Sequence, residues 1–150
     1  MKRLIGFLVL VIFFSACGKD KFTTEPQVEV KSLTPSAVQN GGFINFRAEL
    51  RDREGDFDSV LLVRKRFNGN NLLNSDTIRT TISNLDIPNN EQVELNVIIS
   101  YGVIRSDVTS FHESLAPVDN RYLSVGVVVI DKEQHRSNFA ESEKILLRRL

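Results

Sequence analysis

From Val28 onward, apolar and polar side chains alternate one by one in short blocks, and this period of two constrains the fold more than any other feature. Successive side chains of an extended chain point to opposite faces, so the alternation specifies strands with one buried and one wet face. In the clearest block Ile44, Phe46, Ala48 and Leu50 face one way and Asn45, Arg47, Glu49 and Arg51 the other. Val93, Leu95, Val97 and Ile99 repeat the pattern against Glu94, Asn96, Ile98 and Ser100. Leu123, Val125, Val127 and Val129 line one side of a third block over 122–130. Further strands are predicted over 28–33, 59–67, around 76–83 and over about 139–147. Asn40-Gly41-Gly42, Asn68-Gly69-Asn70-Asn71 and Pro88-Asn89-Asn90 supply the turn chemistry between blocks. Short strands divided by turns in this way predict an all-β antiparallel sandwich of about seven strands over 28–150. A stretch of about 120 residues holds one such core and has no room for two.

The span 102–121 fits this scheme least well, because a connection of that length inside a compact domain is uncommon and tends to be functional. Ser110-Phe111-His112-Glu113 has capping-box spacing, and Pro117 limits any helix it starts to about one turn. An extra edge strand near Val103 and Ile104 is the alternative.

The N-terminal segment is of a different kind. Met1-Lys2-Arg3 is cationic, residues 4–14 are apolar except for Gly6, and Ser15-Ala16 precede Cys17, the only cysteine. This is the layout of a secretory signal peptide over 1–16. Eleven apolar residues are too few for a membrane-spanning helix, which needs roughly 20. Phe14-Ser15-Ala16-Cys17 resembles the lipobox of bacterial lipoproteins. The resemblance implies that Cys17 is diacylated on sulfur, becomes the mature N-terminus and anchors the protein to a membrane. The alternative for Cys17 is an ordinary core thiol beside a cleaved signal. Gly18 stands where the best-known inner-membrane retention signal has aspartate, so by analogy the outer membrane of a Gram-negative cell is expected. Residues 17–27, polar and containing Pro26, then read as the lipidated cysteine and a flexible tether. Ten such residues reach roughly 17 Å.

Loss of residues 1–16 removes Lys2 and Arg3 and leaves 17 basic against 19 acidic side chains. A net charge near −2 argues against a general nucleic-acid binder. Arg64-Lys65-Arg66 and Arg148-Arg149 are local exceptions, and alternation within a strand splits each between two faces, so they read as solvated strand edges. With Cys17 acylated no thiol remains for a disulfide, and the core alone must hold the domain.

The block from Leu123 to Asp131, its polar turn Lys132-Glu-Gln-His-Arg136 and Ser137-Asn138 resemble the last hairpin of immunoglobulin-like domains of the PKD and fibronectin III type. Asp52-Arg-Glu-Gly-Asp-Phe-Asp58 is similar to the acidic turn of such domains in lipoproteins. The resemblance implies an immunoglobulin-like sandwich and carries over no catalytic residues.

One constellation has metal chemistry. Asp52, Glu54, Asp56 and Asp58 alternate around Gly55, and Ca²⁺ takes six to eight oxygens at about 2.3–2.6 Å. Asp52 continues the inward register 44, 46, 48, 50, and Asp131 continues 123, 125, 127, 129, so both are expected at one apex, with Glu133 in the following turn. These six carboxylates are the candidate Ca²⁺ ligands; the alternative is a solvated acidic turn with Arg53 or Arg136 as counter-charge. His112 and His135 lack zinc-ligand spacing, and nucleophile, phosphate-loop and dinucleotide motifs are absent. A chain with ten Phe, two Tyr and no Trp is poorly equipped to stack sugars. The expectation is a non-enzymatic envelope lipoprotein that binds another envelope protein or an extracellular ligand. The runner-up is a scaffold subunit of an outer-membrane uptake or secretion complex, and an enzyme comes third.

Overall fold

The structure, a computed structural model, describes residues 25–85, 87–88, 90–105, 107, 110–118 and 120–149. The signal segment 1–16, Cys17 and all but the end of the tether lie outside the described residues. Ten strands are described: β1 (Gln27–Thr34), β2 (Ala37–Val38), β3 (Phe43–Arg51), β4 (Phe57–Asn68), β5 (Asn71–Thr81), β6 (Gln92–Tyr101), β7 (Phe111–Glu113), β8 (Arg121–Asp131), β9 (Ala140–Glu141) and β10 (Ile145–Leu147). They form two sheets, one in the order β1-β3-β6-β7 and one in the order β2-β10-β8-β4-β5, with β9 also paired to β8. The fold is an all-β, immunoglobulin-like sandwich.

Alternation accounts for the core. Ile44, Phe46, Ala48 and Leu50 of β3, Leu95, Val97 and Ile99 of β6, and Leu123, Val125, Val127 and Val129 of β8 are buried in one cluster with Val60 and Leu62 of β4. Each fully buried aliphatic side chain contributes about 1.5–3 kcal/mol relative to exposure, so the cluster is the main source of cohesion. Asn138 ties the sheets at the edge. Its Oδ1 accepts from Val28 N at 2.9 Å and its Nδ2 donates to Val28 O at 2.9 Å.

Several expectations need correction. The sheets are not purely antiparallel, because β2 pairs in parallel with β10 and β7 in parallel with β6. After β1 the chain crosses from the first sheet to the second at the cis Thr34–Pro35 peptide, and β2 is the short strand that results. The strand predicted at 76–83 runs instead from Asn71 to Thr81, and Ile82–Leu85 is a 3₁₀ turn with Ile82 in the core. Residues 139–147 follow β8 along its length, but as two strands. Between them Ser142 takes over the ladder, its N donating to Val125 O and its Oγ accepting from Val125 N. The extra strand in 102–121 is Phe111–Glu113, neither a helical turn nor a strand at Val103 and Ile104. Capping-box spacing lost to pairing with Ile99, Ser100 and Tyr101. Gln27, assigned to the tether, opens β1.

Candidate functional site

The inward registers of the strands end in charge at both poles of the sandwich. At the pole where β1 begins, Asp52 follows Leu50 and Asp131 follows Val129, both nearly buried at 5% and 2% exposure. Asp52 N donates to Glu91 O, Asp56 N donates to Asp52 Oδ2 at 3.2 Å, and Lys132 N donates to Asp56 O, which joins the two turns. The shared apex expected of Asp52 and Asp131 is therefore present.

The Ca²⁺ ligand set is not. Asp131 is taken by the turn that follows it, its Oδ1 accepting from His135 N at 2.8 Å and its Oδ2 lying 2.9 Å from His135 Nδ1. Glu133 is exposed and lies 3.8 Å from the same nitrogen, and Asp58 faces Arg79 at 3.5 Å. Glu54 is exposed. Among the described residues no group of three or more His, Cys, Asp or Glu side chains converges as metal ligands would. The turn hydrogen bonds direct these carboxylates toward backbone and His135 rather than toward a common centre. Burial pushes the Asp52 carboxyl above its ordinary value, offset in part by the Asp56 N–H, and Asp52 Oδ1 has no hydrogen-bond partner. The hydrogen bond to Asp131 raises the His135 imidazole above its ordinary value.

The opposite pole carries basic residues on the same registers. In β4 the buried Val60 and Leu62 are followed on that face by Arg64 and Arg66, and in β8 Leu123 is preceded on its face by Arg121. Solvated edges were expected for Arg64 and Arg66, yet their side chains are only 13% and 23% exposed. Glu113 of β7, with its side chain 2% exposed, reaches across from the other sheet. It accepts from Arg66 Nε, from Arg66 Nη2 at 2.6 Å and from Arg64 Nη1 at 3.2 Å. Asp76 of β5 accepts from Arg64 Nη2 at 2.5 Å and from Arg66 Nη1 at 2.7 Å, and Arg64 Nη1 also donates to His112 O. Burial works against the charged form of Asp76, but the two guanidiniums outweigh it and hold the carboxyl below its usual range. The hydrogen bonds to Glu113 make Arg66 hold its proton still more firmly than usual. Lys65 points the other way, as alternation requires, to Glu141 at 2.6 Å and to the Phe139 ring. That ring lies on Gly126, where a Cβ would meet it at 2.4 Å.

Beside the Arg66–Glu113 pair is a cavity of about 410 Å³, walled by Leu73, Leu115, Pro117 and Leu147 and bordered by Arg121. Its far wall is the 114–117 segment, held by Ala116 N donating to the buried Tyr101 Oη at 3.1 Å and by Arg149 Nη1 donating to Pro117 O at 2.8 Å. Arg121 Nε and Nη1 are shielded from water and have no hydrogen-bond partner among the described residues. Sequence reading missed this cluster. The available signal was period two itself, continued from 60 and 62 into 64 and 66 and from 123 back to 121.

Ser100 and His112 are register partners on β6 and β7, with Ser100 Oγ 3.1 Å from His112 Nδ1. Ser100 is fully buried, so its hydroxyl is not presented to a substrate. The pair braces the β6–β7 ladder.

No protein-family model and no curated protein matches the chain. Among solved structures it is similar to an alkylpurine DNA glycosylase, AlkC, of Pseudomonas fluorescens bound to DNA, at 16% identity and a TM-score of 0.46, over 92% of this chain and 33% of that one. It is also similar to the sporulation control protein Spo0M of Bacillus subtilis, at 8% identity and a TM-score of 0.41, over 83% and 49%. A third is a CARDB domain from Pyrococcus furiosus in complex with di-metal ions, at 12% identity and a TM-score of 0.32, over 82% and 87%. The chain thus spans about a third and about half of the first two. Likenesses this distant transfer no activity.

Proposed function

We propose that this chain is a non-enzymatic binding module, held on a cell-envelope membrane through lipid on Cys17, with its ligand-facing pole turned away from that membrane. The outer membrane of a Gram-negative cell is the proposed location, by analogy from Gly18 after the cysteine. The polarity of the domain carries the reading. The chain enters through Glu25 and Pro26 at the pole bearing Asp52, Asp56 and Asp131, whereas the cavity beside Arg66 and Arg121 opens at the other end of β8. A strand of 11 residues spans roughly 35 Å, which adds to the reach of the tether.

Mass spectrometry of the protein isolated from cells tests the anchor, with an acylated Cys17 at the N-terminus as the expected result. Cys17→Ala is expected to move the protein from the membrane to the soluble fraction. A bare thiol, or a variant that stays with the membrane, refutes the reading.

The scaffold-subunit alternative is favoured by exposed apolar side chains near the same pole, Leu72 and Leu73 on the edge strand β5 and Val103, Ile104 and Val118 in the loops. Mild crosslinking and pull-down separates the two, since a stoichiometric envelope complex supports the subunit.

A further inference from the structure

Three guanidiniums, those of Arg64, Arg66 and Arg121, meet at the cavity pole with two carboxylates, those of Asp76 and Glu113. Among the described residues one positive charge is left over. The hydrogen bonds assign it: Arg64 and Arg66 divide both carboxylates between them, while Arg121 Nε and Nη1 donate to nothing. A buried guanidinium without an acceptor is a costly arrangement that an entering anion relieves. Leu73, Leu115, Pro117 and Leu147 give the cavity an apolar wall that suits a hydrocarbon body, while Asn74, Ser114 and Glu113 supply the polar part of its lining. A volume of about 410 Å³ falls within the ordinary range for small-molecule sites, about 300–1,000 Å³.

We propose that this cavity binds a small monocarboxylic acid with an apolar body, its carboxylate on Arg121 and its hydrocarbon against Leu73, Leu115 and Leu147. Nε and Nη1 lie on opposite edges of the guanidinium, and either one forms with Nη2 the parallel N–H fork that matches a carboxylate. Water does not reach Nε or Nη1, so seating the carboxylate requires the guanidinium to turn toward the cavity. A dicarboxylate or a phosphate is disfavoured, since only one unmatched charge adjoins the apolar walls and Glu113 repels a second. The inference supplies a ligand for the binding-module reading but does not depend on the lipid. A flat titration leaves acylation of Cys17 standing, and a bare Cys17 leaves the titration standing.

The test is calorimetric titration of the full chain as isolated from cells, in lipid nanodiscs or free solution according to how it fractionates, with empty discs as blank. Hexanoate is expected to bind saturably at one site and raise the melting temperature, with hexan-1-ol at least about tenfold weaker. Arg121→Met is expected to abolish hexanoate binding while melting above the wild type without ligand, because it removes the unmatched donors. Should that variant fold poorly, Leu115→Asp, at a half-exposed wall position, is expected to abolish binding by repulsion. Any of three results overturns the proposal: no saturable hexanoate binding, equal binding of the alcohol, or undiminished binding by both variants. Binding confined to a peptide with a free C-terminal leucine, with hexanoate inert, overturns it in favour of peptide docking.

Discussion

Glu113→Gln tests whether the ion cluster at the cavity pole behaves as interior or as surface. The wild-type carboxylate is 2% exposed and accepts three guanidinium N–H bonds, two from Arg66 and one from Arg64. Glutamine keeps the shape but turns one accepting oxygen into a donor that faces another donor. Arg64 and Arg66 then share Asp76, His112 O and the one amide oxygen that remains at position 113. Removing one partner of a buried pair costs about 3–5 kcal/mol. Since Asp76 is 39% exposed and water can approach the remaining pairs, the lower end, about 3 kcal/mol, is expected. In a domain whose total stability is of order 5–15 kcal/mol that is a large fraction, and it lowers the melting temperature by roughly 10 °C. Urea unfolding followed by circular dichroism should show a reduced midpoint at an unchanged slope. The loss should persist at high salt, because a buried pair is poorly screened. The double variant Glu113→Leu with Arg66→Met should recover much of it, since apolar replacements need no partner. A loss below about 1 kcal/mol that vanishes in salt refutes the assignment, because that is how exposed ion pairs behave.

Three further outcomes follow from the other pole. The folded state holds the Asp52 proton more tightly than the unfolded chain, because burial disfavours the carboxylate. Ionisation therefore costs stability as pH rises from about 3.9 into the range of the raised value, so Asp52→Asn should exceed the wild type by about 1 kcal/mol at pH 7 and match it below pH 4; a difference independent of pH refutes this cause. His135 is raised by Asp131, so its contribution is complete below about pH 6.5 and fades as pH rises through the folded value, and His135→Gln should flatten that part of the pH–melting curve. Gln134 sits at φ 70° in the turn after β8, a region that costs a side chain about 1 kcal/mol, so Gln134→Gly should raise stability by up to about that amount in the same urea assay.

How much was readable depended on whether a pattern was local. The inner faces of β3, β6 and β8 were legible to the residue, because alternation is a property of neighbours in the chain. So was the shared apex of Asp52 and Asp131, because register carries a face from one end of a strand to the other. The same rule applied to β4 places Arg64 and Arg66 inside, but a basic triplet read for its charge suggested solvent. What reverses that reading is Glu113, 47 residues from Arg66, on a strand of three residues too short to show a period.

By itself the sequence determined that the chain forms a sandwich, which side chains fill it and where its strands turn, since these depend on spacing along the backbone. It also set out the N-terminal pattern on which the proposed Cys17 anchor rests. Only the tertiary structure decided what the charges do. It gave Asp131 to His135, set Glu113 between Arg64 and Arg66, and left Arg121 beside a cavity with its Nε and Nη1 unmatched among the described residues. Charge pairing depends on distances of a few ångströms between strands far apart in the chain, and alternation within one strand cannot specify which distant carboxylate reaches which cation.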